Sequence, residues 1–236
     1  MKLIVGNLKM NLDYYEINDY VEYFKDKNYS NVYFAPTSIY LSKFVDNGLN
    51  GVSQDVSSFE KGAYTGDVSA MQLKSMGVNY SLVGHSERRK NYSDNNFVNK
   101  KILQLLNQNI KPILCVGESY DERKNNRTFD VIKEEIVEAF LGLDKTKLAN
   151  VIIAYEPVWA IGTGEIPTND EIEEVISYIK EYVHDNYSYE VKVLYGGSVN
   201  NKCIGELEKI KNVDGYLVGG CSLNCDEFEK LINSID

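Results

Sequence analysis

One carboxylate, Glu156, stands at the end of an apolar β-type run, Val151-Ile152-Ile153-Ala154-Tyr155, and Pro157 follows it. Proline has no N–H to give to a sheet ladder, so the strand must stop there. An apolar tip comes next, Val158-Trp159-Ala160-Ile161, and then two glycines, Gly162 and Gly164. A capped strand with a buried loop would explain the Glu-Pro pair alone. The whole run from Ala154 to Gly164 suits a base at a strand end beneath a closing lid.

Other segments place polar groups at the ends of apolar runs. Lys9 follows the run Leu3–Leu8. Most lysines are solvated surface groups, but one at the mouth of a barrel would bind an anion. His85, one of two histidines, follows Tyr80–Gly84 in Gly84-His85-Ser86-Glu87-Arg88-Arg89. A lone histidine there is more often structural than catalytic. If it begins a helix, the positive helix end favours a neutral ring that donates a hydrogen bond. His184, in Glu181-Tyr182-Val183-His184-Asp185, reads as surface. Two glycine pairs, Gly196-Gly197 before Ser198 and Gly219-Gly220 before Cys221, let backbone N–H groups approach a phosphate closely.

Eight short apolar runs must position these groups: Leu3–Leu8, Asn31–Ala35, Gly51–Gln54, Tyr80–Gly84, Lys111–Val116, Val151–Tyr155, Val191–Tyr195 and Gly215–Val218. Most are apolar throughout, as parallel strands buried on both faces are. Amphipathic helices lie between them. Ile172, Val175, Ile176, Ile179 and Val183 form one stripe, with Thr168 and Glu171 as its capping box. Phe228, Leu231, Ile232 and Ile235 form another, capped by Asn224 and Glu227; Ile17, Val21 and Phe24, and Val98, Ile102 and Leu105, mark two more. Gly48, Gly77 and Gly142 sit where helix C-caps belong. Eight β-then-α units without a linker predict an α/β fold: a single (β/α)8 TIM barrel, eight parallel strands surrounded by helices, forming one catalytic domain over residues 1–236. A doubly wound open sheet is the alternative, less favoured by the unit count.

Composition narrows the function. A net charge of −10 and a pI near 4.8 argue against nucleic acid or an anionic membrane as the main partner. An anionic substrate still fits a locally positive pocket. Cys115, Cys203, Cys221 and Cys225 lack metal-type pairing and read as free thiols of a reducing cytoplasm. The N-terminal apolar run is too short for a signal peptide, and no stretch reaches membrane-spanning length.

Together these segments resemble the triosephosphate isomerase family, nearly end to end, from Asn7-Leu8-Lys9-Met10-Asn11 to Gly219-Gly220. The resemblance implies interconversion of dihydroxyacetone phosphate and D-glyceraldehyde 3-phosphate through an enediolate, in glycolysis and gluconeogenesis. It makes Glu156 the base, His85 the electrophile and proton shuttle, Lys9 the cation for phosphate and enediolate, and Asn7 a support for the same oxygens. It gives Glu87 a supporting role behind His85, and backbone donors to the phosphate at Gly162, Ser198, Gly219 and Gly220. It implies no cofactor and no metal, a cytoplasmic location, and a homodimer joined through the loop around Thr65. Pocket pKa tuning and lid closure are hallmarks of this family and come with the resemblance. The chemistry agrees with it. A proton α to a carbonyl is weakly acidic, so its removal needs a desolvated carboxylate and donors aimed at the forming oxyanion.

The sequence departs from the family at several points. Leu8 stands where Trp is usual, Asp67 where Glu is usual, and Asp55 where Asn is usual. Arg88 resembles the cross-subunit partner of the acid at 67, so the shorter Asp67 predicts a weaker pair. Cys221 replaces the usual Ala. Either it packs as a small apolar group, or the positive end of a following helix lowers its pKa. Two other readings stay open: a different phosphate-binding barrel, such as a sugar-phosphate isomerase of amino-acid biosynthesis, and a non-catalytic barrel. The first would lack the Glu156 lid run, and the second would tolerate loss of Glu156, His85 or Lys9.

Overall fold

Eight short strands line up side by side, all parallel, in a computed structural model that describes residues 1–161 and 167–235. They are β1 (Leu3–Asn7), β2 (Val32–Ala35), β3 (Val52–Ser53), β4 (Tyr80–Val83), β5 (Lys111–Val116), β6 (Ile152–Tyr155), β7 (Lys192–Tyr195) and β8 (Gly215–Val218). Their order in the sheet is β2-β1-β8-β7-β6-β5-β4-β3. A parallel bridge between Phe34 and Gly51 joins β2 to the residue before β3 and closes the ring. The barrel, not the open sheet, is the architecture.

Alternation along each strand builds two cores. Val5, Ala35, Val52, Leu82, Ile113, Cys115, Ile152, Ala154, Leu194 and Leu217 fill the barrel. Their neighbours Ile4, Phe34, Val83, Leu114, Ile153, Val193 and Tyr216 face outward into the layer of helices. Burial on both faces is why these runs contain so few polar residues.

The helices follow from caps and stripes. Thr168 accepts the Glu171 N–H and Glu171 returns the bond, so the capping box starts the helix Asn169–Tyr187. That helix buries Ile172, Val175, Ile176, Ile179 and Val183. Asn224 caps the last helix, Cys225–Ile232. Gly48, Gly77 and Gly142 take φ values of +76°, +88° and +69°, the left-handed conformation that ends a helix. The third strand is shorter than the sequence predicts. It ends at Ser53, and just beyond it the Gln54 side-chain amide donates to Lys9 O at 2.8 Å and Ala35 O at 2.7 Å. Among the described residues, no helix is long and apolar enough to cross a membrane.

Candidate active site

The C-terminal ends of the strands gather the predicted residues. Glu156 follows β6, His85 lies just beyond β4, Asn7 closes β1 and Lys9 follows it. In register, Cys115 faces Ala154 and Val116 faces Tyr155, and the Glu156 N–H donates to Val116 O at 2.8 Å. The end of β5 thus fixes the backbone of Glu156.

Glu156 and His85 are 2% and 5% exposed, and their side chains meet directly. His85 Nε2 lies 3.1 Å from Glu156 Oε1. His85 Nδ1 accepts the Glu87 N–H at 3.2 Å, which assigns the proton of the neutral ring to Nε2. The ring caps the helix Ser86–Tyr92. The Ser86 N–H reaches Glu156 Oε2 at 3.4 Å. Burial alone would raise the Glu156 carboxyl, but His85, the Ser86 N–H and Lys9 together hold it below its ordinary value. Burial also opposes charge on His85, yet the carboxylate of Glu156 outweighs it and raises the ring's pKa. This departs from the expectation that the helix end alone sets the ring. The facing carboxylate is closer and stronger. In the resting site the carboxylate and imidazole therefore satisfy each other.

Lys9 adopts φ +52°, an uncommon conformation for a residue with a side chain. Such a conformation persists only where the surroundings fix it. Here the Lys9 N–H donates to Asn7 Oδ1 at 3.1 Å, and the Gln54 amide donates to Lys9 O. Asn7 therefore sets the backbone that carries the ammonium. The Lys9 ammonium pairs with Glu87 Oε1 at 2.6 Å.

A cavity of about 210 Å³ lies between these groups and the glycine loops. Asn7, Lys9, His85, Glu156, Ser198, Gly219 and Gly220 all line it. It is smaller than the ~300–1,000 Å³ usual for drug-sized ligands. A Cβ on Gly219 would sit 3.6 Å from Lys9 Cε, so the second glycine pair lies against the lysine stem. The Ser198 hydroxyl donates to Ala160 O at 2.7 Å, tying the loop after β7 to the segment after Glu156. Gly162 lies outside the described residues.

Some participants escaped the sequence reading. Glu118, fully buried after β5, accepts from Trp159 Nε1 at 2.9 Å, and its carbonyl accepts the Val158 N–H at 3.0 Å. The Arg123 guanidinium lies over the Trp159 ring at 4.5 Å. Glu118 thus docks the start of the apolar tip. A carboxylate two residues beyond an apolar strand was the available signal, close to the one that exposed Glu156.

Of the two readings of Cys221, packing is the one that fits its surroundings, since it lies against the core. It is the second residue of a short 3-10 turn, Gly220–Leu223, and does not begin an α-helix. Its thiol donates to Glu227 O at 3.6 Å. Burial, with Glu227 adding, pushes its pKa up, not down. Farther out, Asp67 accepts from Ser57 Oγ at 2.6 Å and Arg88 pairs with Asp55 at 2.8 Å within the chain. Phe59 and Tyr64, on the loop around Thr65, stack with centroids 3.9 Å apart, and both are 41% exposed.

Comparison with known proteins agrees with this geometry. A family model described as triosephosphate isomerase matches residues 2–235. A triosephosphate isomerase from Alkaliphilus oremlandii (strain OhILAs) is 40% identical, over 98% of this chain and 98% of its own. One from Malacoplasma penetrans (strain HF-2) is 40% identical, over 98% of this chain and 97% of its own. One from Thermoanaerobacter sp. (strain X514) is 38% identical, over 98% of both chains.

Proposed function

The chain belongs to the triosephosphate isomerase family, and on that premise we propose that it interconverts dihydroxyacetone phosphate and D-glyceraldehyde 3-phosphate. The observation that carries this reading is the buried Glu156 carboxylate opposed to His85 Nε2 across a small cavity floored by Lys9 and the glycine loops.

The proton moves between neighbouring carbons. Glu156 removes one from the carbon beside the carbonyl. His85 donates from Nε2 to the carbonyl oxygen, so that an enediolate forms without an unsupported charge. Lys9 offsets the negative charge of phosphate and oxyanion. Glu156 then returns a proton to the adjacent carbon, and His85 moves a proton between the two oxygens. Substrate must first come between Glu156 and His85, since each is the other's partner at rest. Breaking that contact frees the carboxylate from the ring that depresses its pKa and makes it a better base. Asn7 holds Lys9, and Glu87 steadies both Lys9 and His85. Backbone donors at Gly162, Ser198, Gly219 and Gly220 receive the phosphate.

The same reading makes residues 1–236 one catalytic domain of glycolysis and gluconeogenesis. The four free cysteines suit a cytoplasmic location. A homodimer would cover the stacked, exposed Phe59 and Tyr64 of the loop around Thr65. A coupled assay on the purified protein with D-glyceraldehyde 3-phosphate tests the activity; no turnover above the uncatalysed rate would refute it. Sedimentation tests the assembly, and a fully active monomer at micromolar concentration would refute the dimer.

A further inference from the structure

Behind the cavity, a charged pair joins the two strand ends that carry His85 and Glu156. Arg89, on the helix Ser86–Tyr92, donates from Nε to Gly84 O at 2.7 Å and from Nη2 to Cys115 O at 3.1 Å. Its Nη1 donates to Asn95 Oδ1 at 3.0 Å. Nε lies 3.3 Å from Glu135 Oε1, on the helix Thr128–Phe140. Glu135 Oε2 accepts the Gly117 N–H at 2.9 Å. The two side chains are only 12% and 15% exposed.

The Gly84 and Gly117 backbone groups held by the pair adjoin the two reacting residues. Gly84 immediately precedes His85 and has φ +70°. Gly117 lies so close to the base that a Cβ there would fall 1.8 Å from the Glu156 carbonyl oxygen. The Glu156 N–H, in turn, donates to Val116 O. One guanidinium spans the ends of β4 and β5, and one carboxylate closes the bracket onto the backbone beside Glu156.

We propose that Arg89 and Glu135 are positioning residues that set the separation of His85 Nε2 and Glu156 by bracketing the Gly84 carbonyl and the Gly117 N–H. Neither side chain lines the cavity that holds the substrate. The fork of an arginine suits this task, since a lysine cannot give two carbonyls and a carboxylate fixed donors in one plane. Without Glu135, the Gly117 N–H loses its acceptor and Arg89 its counter-charge. The two strand ends are then free to shift by tenths of an ångström. Misplacement of ~1 Å in a reacting pair costs ~100-fold in rate. The catalytic side of this inference rests on the proposed isomerase activity; its geometric side does not.

The test therefore has two arms. The chain has only His85 and His184, so a His184→Gln background leaves one imidazole to follow by NMR. Glu135→Ala should move the His85 ring resonances and their titration. Glu135→Gln, which keeps an oxygen for the Gly117 N–H, should restore them in large part. In the isomerase assay, Glu135→Ala should lower kcat about 10-fold or more with KM within about twofold, and Glu135→Gln should recover most of the loss. If Glu135→Ala does not fold, Arg89→Lys takes its place, with the same shifts expected. A folded Glu135→Ala or Arg89→Lys protein whose His85 signals match the parent's overturns the inference. That arm holds even if the parent shows no isomerase activity, which would refute only the functional reading.

Discussion

Gly117→Ala is the most informative single substitution. A Cβ built on Gly117 would lie 1.8 Å from Glu156 O and 2.6 Å from its carbonyl carbon. Ordinary contact begins near 3.4 Å, so one backbone must retreat by about 1.6 Å. Gly117 is held by Glu135 and Glu156 by Val116, so the displacement falls on the link between them. A shift of ~1 Å in a base costs ~100-fold, about 2.7 kcal/mol of transition-state stabilisation. Overpacking of this kind also lowers stability by ~1–3 kcal/mol. Gly205 supplies the control. It lies in the helix Ile204–Leu207, and a Cβ there meets nothing within 4 Å. Gly205→Ala should leave turnover unchanged and stability equal or up to ~1 kcal/mol higher. Steady-state kinetics and urea unfolding on both proteins decide the matter. A folded Gly117→Ala enzyme with turnover within about fivefold of the parent would refute the claim that this backbone contact sets the base.

Lys9→Met should raise KM and lower kcat together if, as proposed, the ammonium serves both the bound phosphate and the enediolate; a change in KM alone would make it a binding residue only. The Glu135 carboxyl is pushed up to about 7, by burial first, with Glu122 and Glu156 adding and Arg89 and the Gly117 N–H opposing. A raised acid holds its proton longer in the folded state. Its stabilisation is present below the unfolded value of 4.5 and is lost as pH rises through about 7, on the order of 3 kcal/mol in all. Urea unfolding between pH 5 and pH 8 should show this decline in the parent and a flatter profile in Glu135→Gln; equal slopes would contradict it. Cys221, with its raised thiol pKa, should react with thiol reagents more slowly than a free thiol at pH 7. Fast modification mapped to Cys221 by peptide mass would contradict this.

The barrel was legible because strands buried on both faces become unbroken apolar runs, and because the Thr168 and Asn224 caps announce their helices locally. The short β3 was not, since its extent depends on pairing with strands far away in sequence, through the Phe34–Gly51 bridge and the Tyr80–Val83 strand. The same contrast runs through the site. Glu156, His85, Lys9 and Asn7 stand at strand ends, where sequence order itself implies a shared mouth. Glu118 carries a similar signal, two residues beyond β5. Arg89 and Glu135 carry none. On their own helices they read as solvated charges, and only the closed ring brings them together. Cys221 was only half legible: its type left packing and activation both open, and what decides between them, its burial and the approach of Glu227, is set by the fold.

In the proposed reaction Glu156 moves the proton. Glu156→Asp retracts the carboxylate by one methylene while keeping its charge. Turnover of D-glyceraldehyde 3-phosphate, measured beside inhibition by inorganic phosphate, isolates that change. The kcat should fall ~100-fold or more with phosphate inhibition unchanged. Near-parental turnover in a folded Glu156→Asp protein would contradict it.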